Sequence, residues 1–398
     1  MKDSGIEWIG EIPENWDIER LARHLMEINE KNFPIKTTNV LSLTNKLGVI
    51  PYEDKGNQGN KAKENYEEYK VAYKDTIIAN SMNILIGSVG YSNYYGCVSP
   101  VYYVFKEKPK NNLYFLNYIM QTPQFQKELR KYANGILEIR LRLSANDILK
   151  RIVAFPPLSE QDKIAAFLAE KCGAIDEIIS KTEQSIEEYK KLKQSVITKA
   201  VTKGIRPNRP MQDSNIEWIG EIPQNWSVIK LRYLYRCQNG ISKSAEFFGK
   251  GFPFVSYKDV YNNDVLPETV SGLCDATEEE LNRYSVKQGD IFFTRTSETI
   301  EEIGLTSICL NSFENATFAG FLIRCRPYTT KLYFEYSKYY MASSHLRLYF
   351  VKEMNLVTRA SLSQELLKDL QVLIPPLEEQ KEIAQYLDEK CAEIDTLI

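Results

Sequence analysis

The chain carries little with which to do chemistry. Its 398 residues include two histidines, His24 and His345, and seven cysteines with no Cys-x-x-Cys pair among them. A structural zinc site needs about four such ligands brought together, and triad or acid–base catalysis needs a histidine with ordered partners. Neither has support, and both histidines read as structural residues. No Gly-x-x-x-x-Gly-Lys-Ser/Thr loop is present, because Gly249-Lys250-Gly251 lacks the earlier glycine and the following hydroxyl. A methyltransferase acting on amino groups of bases would need a glycine-rich cofactor loop and an Asn-Pro-Pro-aromatic motif. Pro156-Pro157 and Pro375-Pro376 follow Phe155 and Ile374 instead. Asp54 with Glu68-Tyr69-Lys70 imitates the spacing of a metal-dependent nuclease, a common coincidence where 26% of residues are charged. The expectation is no catalytic residue, no bound cofactor and no metal. No apolar run approaches 18 residues and Met1–Gly10 is no secretory leader, so the chain reads as soluble and cytoplasmic, its unpaired thiols suiting a reducing compartment.

What the chain does have is a repeat. Asp3–Trp16 (DSGIEWIGEIPENW) and Asp213–Trp226 (DSNIEWIGEIPQNW) agree at 12 of 14 positions, 210 residues apart. Pro156–Asp176 (PPLSEQDKIAAFLAEKCGAID) and Pro375–Asp395 (PPLEEQKEIAQYLDEKCAEID) agree at 13 of 21, 219 residues apart. Between these segments, Leu21–Phe155 and Leu231–Ile374 share almost nothing in register. Two similar frames therefore carry two different inserts, as in a pseudo-twofold molecule presenting two unlike surfaces.

Charge separates frame from insert. The net charge of −3 argues alone against a polyanionic partner. Yet residues 20–155 hold 20 basic and 12 acidic side chains, residues 230–373 hold 17 of each, and the remainder holds 13 against 24. The first insert is a basic domain, as a polyanion-binding surface requires; in the second, any such contact must come from local clustering.

Periodicity completes the outline. Pro156-Pro157 closes the first insert, and Ser159 is placed to cap a helix beyond it. Ile164, Leu168, Cys172, Ile175, Ile179, Thr182, Ile186, Tyr189, Leu192, Val196 and Ala200 recur at alternating threes and fours, predicting a long coiled-coil helix over Glu160–Lys203 that Gly204 and Pro207 stop. At about 1.5 Å per residue it would be roughly 66 Å long. The matching seam of the second copy, Ile383, Leu387, Cys391, Ile394 and Ile398, spans only its first half. Paired antiparallel, the second helix covers the C-terminal half of the first, leaving Ile164–Ile179 without a partner. Inside the inserts, Thr76–Ala79, Val101–Phe105, Asp290–Phe293 and Phe321–Cys325 read as strands, and Leu113–Tyr132 and Lys331–Lys352 as helices. The predicted fold class is α+β: two globular mixed α/β domains separated by long antiparallel coiled-coil helices. The predicted boundaries are 1–157 for the first domain, 158–206 for the long helix, 207–376 for the second domain and 377–398 for the second helix.

The repeated Asp-Ser-x-Ile-Glu-Trp-Ile-Gly-Glu-Ile-Pro-x-Asn-Trp lead, the Pro-Pro-Leu-x-Glu-Gln entrances to the helices and the two dissimilar inserts together resemble the specificity subunit of Type I restriction-modification systems. The likeness spans essentially the whole chain. Within the inserts, Ile78–Met82 through Gly87–Gly90 to Val98–Pro100, and Gly289–Thr299 with Glu301–Gly304, look like two types of target-recognition domain. The resemblance implies a non-catalytic subunit that reads a bipartite, asymmetric target in double-stranded DNA, with the helical rod setting the gap between its halves. It further implies two methyltransferase subunits, which would bring S-adenosylmethionine, and restriction-translocase subunits, which would bring ATP and magnesium. The alternative is a coiled-coil protein–protein scaffold without direct DNA reading. Amides, hydroxyls and cations suit base edges and phosphates. The candidate DNA-binding residues are Asn57, Gln58, Asn60, Lys61, Lys63, Asn80, Ser81, Asn83, Ser92, Asn93 and Tyr94 in the first insert. In the second they are Lys243, Ser244, Tyr257, Lys258, Asn262, Arg295, Thr296, Ser297 and Thr299.

Overall fold

The computed structural model describes residues 1–44, 48–56, 65–133, 142–297, 302–353 and 360–398, with only the backbone at 297, 351–353 and 360. It divides into two compact units, Met1–Ile179 and Ser180–Ile398.

In both units the frame closes the base of the insert with an antiparallel ladder. Asp17–Arg20 pairs with Ile152–Phe155 in the first unit, and Ser227–Lys230 pairs with Gln371–Ile374 in the second. The next residues are also matched: Leu21 N–H donates to Arg151 C=O (2.9 Å) and Leu231 N–H to Leu370 C=O (2.8 Å). The two ends of each insert thus lie side by side, as in a domain set into a host.

The inserts, so different in sequence, share one sheet. The first unit orders Leu25–Ile28, Tyr102–Glu107, Thr76–Asn80 and Val89–Ser92 side by side; the second orders Tyr235–Asn239, Leu322–Pro327, Ile291–Thr294 and Thr306–Ile308. Both are fully antiparallel with the same chain order, first, fourth, second, third. Registers coincide as well, Tyr102 lying opposite Asn80 and Leu322 opposite Thr294. Side-chain alternation along a strand sends Ile77 and Phe105 into a core with the helices Leu113–Gln121 and Pro123–Arg130, and Ile78 and Val104 into a smaller core with Leu41, Leu43 and Val49. The second unit repeats this, with Phe293 and Ile323 on the helical face beside Tyr336 and Phe350, and Phe292 and Leu322 facing Phe254 and Phe318. A central strand covered on both faces is mostly apolar, which is why these runs were visible in the sequence; buried Arg324 departs from this, its guanidinium donating to Gln238 at 2.6 Å.

Two helical expectations need correction. Leu113–Tyr132 forms two helices, Leu113–Gln121 and Pro123–Arg130, because Thr122 is extended ahead of a proline and its Oγ1 accepts the Phe125 N–H at 3.3 Å. Lys331–Lys352 likewise resolves into Phe334–Met341 and Ser344–Glu353, broken where the Ser343 hydroxyl donates to Tyr340 C=O at 2.7 Å. Nor does Ser159 cap the first frame helix. That helix begins one residue earlier and runs uninterrupted over Leu158–Lys203, with Pro157 C=O accepting the N–H groups of Glu160 (2.8 Å) and Gln161 (3.0 Å).

The frame motif is a joint. The Gln380 amide donates to Pro375 C=O (2.8 Å) and Lys331 C=O (2.9 Å), while its Oε1 accepts the Tyr333 N–H (2.7 Å). Gln161 does the same in the first unit, donating to Pro156 C=O and accepting the Asn112 N–H, both at 3.0 Å. Neighbouring Glu379, 2% exposed, receives both terminal nitrogens of Arg209, and Asn225 donates to it at 3.3 Å. Burial pushes its carboxyl up, but hydrogen bonds from Arg209 and its neighbours outweigh this and hold it below the usual carboxylate range.

The second frame helix, Leu377–Asp395, pairs antiparallel with the C-terminal part of the first inside the second unit. Lys193 meets both carboxylate oxygens of Asp395 at 2.8 Å, and Arg206 meets Glu382 at 2.7 Å. Between these ion pairs Ile197, Ala200 and Val201 bury themselves against Ile383, Leu387 and Cys391. No helix among the described residues is long and apolar enough to cross a membrane.

Candidate nucleic-acid interface

Superposing the two sheets by register sorts the candidate residues. Ser81 N–H donates to Val101 C=O and Ser81 C=O accepts the Leu143 N–H; Arg295 N–H donates to Phe321 C=O and Arg295 C=O accepts the Leu362 N–H. Ser81 and Arg295 are therefore the same structural position, one residue past the matched pair Asn80 and Thr294. At this sheet end the backbone leaves the core in both units. Ordered strands beneath and irregular chain above are where recognition residues are best positioned.

In the first unit, Asn80 and Ser81 are each 6% exposed, and the Asn80 Oδ1 accepts the Met82 N–H at 3.0 Å. Asn80 therefore shapes the turn, and Asn83, exposed beyond it, is the side chain presented to solvent. Arg142 stands exposed over the Met82 sulfur at 3.9 Å, beside the strand-end contact of Leu143. Sequence reading missed Arg142; only the pairing of Leu143 with Ser81 brings it here.

In the second unit the group is denser. Arg295 and Thr296 are half-buried at the strand end, and Thr296-Ser297 pairs with Ala360-Ser361. The Thr294 hydroxyl donates to Glu302 C=O at 2.7 Å, and Gly304 N–H returns to Thr294 C=O at 2.9 Å. The Tyr257 hydroxyl reaches the same Glu302 carbonyl at 3.5 Å, and that of Tyr261 reaches its carboxylate at 3.1 Å. Tyr261 is a second residue the sequence reading passed over, one helical turn from Tyr257 and stacked on it at 6.0 Å. The Arg347 guanidinium donates to Ile303 C=O, fixing the same loop from the helical side.

Other candidates lie elsewhere. Ser92, Asn93 and Tyr94 sit at the opposite end of the first sheet, since Ser92 pairs with Thr76 while Ala79 pairs with Val89. Ser92 is fully buried, its hydroxyl donating to Tyr94 C=O at 3.2 Å, whereas Asn93 and Tyr94 are exposed. Lys243 is held between Glu280 (2.6 Å) and Asp275 C=O (2.7 Å), with its ammonium 4.9 Å from the Phe247 ring. A cation neutralised and screened in this way has little left to offer a phosphate. Ser244 is exposed and donates to Glu246 at 2.7 Å. Lys258 is exposed on the helix Tyr257–Tyr261, and exposed Asn262 ends that helix, near where Asp264 C=O accepts the Ile308 N–H. Asn57, Gln58, Asn60, Lys61, Lys63 and Thr299 lie outside the described residues.

Of the nuclease-like spacing, Lys70 has its ammonium 3.6 Å from Glu27, over the Tyr103 ring. No cluster of potential metal ligands occurs among the described residues. His24 is stacked on Phe155 at 3.5 Å with Glu19 at its Nε2 (2.7 Å), and His345 is packed against Trp218.

A family model described as the Type I restriction modification DNA specificity domain matches twice, over residues 13–188 and 223–396. The chain belongs to that family. Among relatives, the MjaVIII specificity subunit of Methanocaldococcus jannaschii is 25% identical over 400 residues, covering 97% of this chain and 88% of the relative. The EcoKI specificity subunit of Escherichia coli K12 is also 25% identical, over 71% of this chain but 59% of its own length. The fold is shared with a solved chain from work on complex assembly and conformational transition of the type I R-M system, at TM-score 0.71 and 17% identity, covering 97% of this chain and 93% of that one. The HsdS subunit of Thermoanaerobacter tengcongensis matches at TM-score 0.52 and 16% identity over 100% and 93%. Each family match takes in one insert with its flanking frame, which is the repeat seen from the sequence.

Proposed function

We propose that this chain is the DNA specificity subunit of a Type I restriction-modification complex. Each insert reads one half of a bipartite, asymmetric duplex target, and the frame helices hold methyltransferase and restriction-translocase partners. The supporting observation is the pair of equivalent sheet ends bearing unlike side chains: Asn83 and Arg142 in one unit, Arg295, Thr296 and Tyr257 in the other. One backbone carrying two sets of donors and acceptors suits two different half-sites. The excess of basic over acidic residues in the first insert supplies the sequence-independent attraction to phosphate. The chain itself contributes no catalysis. S-adenosylmethionine would enter with two methyltransferase copies, and ATP with magnesium on the restriction subunits.

The test is binding of the chain, co-purified with its methyltransferase, to duplexes carrying both, one or neither half-site. Specific retention is expected, with log affinity falling against log salt at a slope of about −5 or steeper, each phosphate contact contributing roughly −0.9. Salt-insensitive association with protein partners and no duplex preference would instead establish the scaffold reading. Metal-dependent cutting by the purified chain alone would contradict the non-catalytic assignment.

A further inference from the structure

One step beyond their ladders, the two equivalent sheet ends carry unlike pairs. The register that sets Leu322 opposite Thr294 puts Phe321 opposite Arg295, and the register that sets Tyr102 opposite Asn80 puts Val101 opposite Ser81. A main-chain hydrogen bond joins each pair, from Arg295 N–H to Phe321 C=O at 3.0 Å and from Ser81 N–H to Val101 C=O at 3.3 Å. Ser81 is buried and Val101 half-buried, whereas Phe321 is 66% exposed, an apolar ring standing in water beside a guanidinium. The turn that carries this ring is firmly held. Ala319 N–H donates to Val255 C=O (3.0 Å), Gly320 N–H to Ile241 C=O (2.8 Å) and Leu322 N–H to Ala319 C=O (3.0 Å). A Cβ on Gly240 would come within 2.2 Å of the Phe318 carbonyl oxygen and 2.3 Å of that of Ala319, so the neighbouring loop packs on the turn backbone to backbone. An apolar group mounted in this way loses little freedom on meeting a ligand.

We infer that Phe321 is a specificity-determining residue of the second insert, contacting the C5-methyl group of a thymine in its half-site. The inference rests on the DNA-reading function proposed above and deepens it. Base edges in the major groove present donors, acceptors and one apolar feature, the thymine methyl, which suits an aromatic ring. Directly opposed residues of an antiparallel pair hold their β-carbons about 5 Å apart, while successive bases along one strand of a duplex are about 3.4 Å apart. Phe321 therefore addresses a base pair within about two steps of the one that Arg295 reads. Val101 leaves the first insert without such a ring at the equivalent position, so this thymine preference belongs to one half-site only.

The chain, co-purified with its methyltransferase, is first used to select duplexes from a randomised pool, which yields both half-sites. In the half-site that Arg295→Ala relaxes, each thymine is then replaced in turn by deoxyuridine, which removes the C5-methyl and leaves base pairing intact, and binding is measured by fluorescence anisotropy. We expect one such replacement to weaken binding about fourfold, the scale of one buried methyl-sized group. Phe321→Ala should bind the thymine and uracil duplexes alike while keeping its preference at the other half-site, which shows that it is folded, and Phe321→Leu should restore part of the discrimination. Parent binding unmoved by every replacement, or a Phe321→Ala variant as sensitive to uracil as the parent, overturns the assignment. So does a rise in 2-aminopurine fluorescence beside that base that Phe321→Ala abolishes while uracil leaves binding unchanged, since the ring would then be a wedge between base pairs. A parent complex that selects no sequence at all overturns the DNA-reading function itself, and this assignment with it.

Discussion

Arg295 is the side chain on which most rests, because it combines a guanidinium, the most effective group for bidentate contact to guanine, with a backbone fixed at both its N–H and C=O. Arg295→Ala is expected to weaken binding by about 1–3 kcal/mol when its own half-site is present and to leave the other half-site unaffected. Competition with single-half-site mutant duplexes measures this, and a uniform loss across all duplexes would reassign Arg295 to phosphate contact. His345 makes a different prediction. Burial, reinforced by Lys203, lowers its pKa from 6.5 to about 4, so the folded chain keeps it neutral where the unfolded chain would protonate it. Its contribution is complete above pH 6.5 and is lost as the pH falls toward 4, with a ceiling of about 3 kcal/mol. His345→Phe should flatten that part of the stability profile relative to the parent, and superimposable pH profiles in thermal melts would refute it.

At the scale of elements, the repeated Pro-Pro-Leu-x-Glu-Gln is explained by the three hydrogen bonds that each Gln380 makes and the two made by Gln161. Gln380→Leu leaves the buried Pro375 carbonyl and the part-buried Lys331 carbonyl and Tyr333 N–H without this partner, an unmet buried group costing on the order of 1–3 kcal/mol. Urea denaturation should show a loss of at least about 2 kcal/mol; a change below 0.5 kcal/mol, roughly that of an ordinary surface substitution, would show that water replaces the amide. This motif was legible because both copies needed the same joint, as were the central strands and the heptad seam. The breaks at Thr122 and Ser343 were not legible: apolar spacing continues across both, and Pro123 at a first helical turn is compatible with either reading. The candidate site was legible in residue type more than in place. Asn80, Ser81, Arg295 and Thr296 come to lie at the two equivalent sheet ends, whereas Ser92 lies at the opposite end of its sheet and Lys243 is held in an ion pair. Their burial and pairing depend on contacts 16 to 37 residues away, with Thr76 and Glu280.

At the scale of the whole molecule, the shared sheet topology means that an insert is interchangeable in its mountings. Replacing residues 231–370 by the corresponding segment of another family member, joined at the ladder Ser227–Lys230 with Gln371–Ile374, should give a folded chain with one new half-site preference and one old. Selection of bound duplexes from a randomised pool reads both halves at once. A chimera that folds yet changes preference in both halves would mean that the two readers are not independent.

The ladders at the base of each insert hold through main-chain N–H and C=O groups, which every residue except proline supplies alike. Crossovers between genes that fall in these short stretches can therefore bring in a foreign insert whose ladder hydrogen bonds are already met, leaving Val153, Phe155, Val372 and Leu373 to be accommodated in the cores. Two frames alike enough to recombine, flanking inserts free to differ, give a lineage a cheap route to new DNA addresses, and the similarity of the frames beside the divergence of the inserts is the trace such exchange would leave.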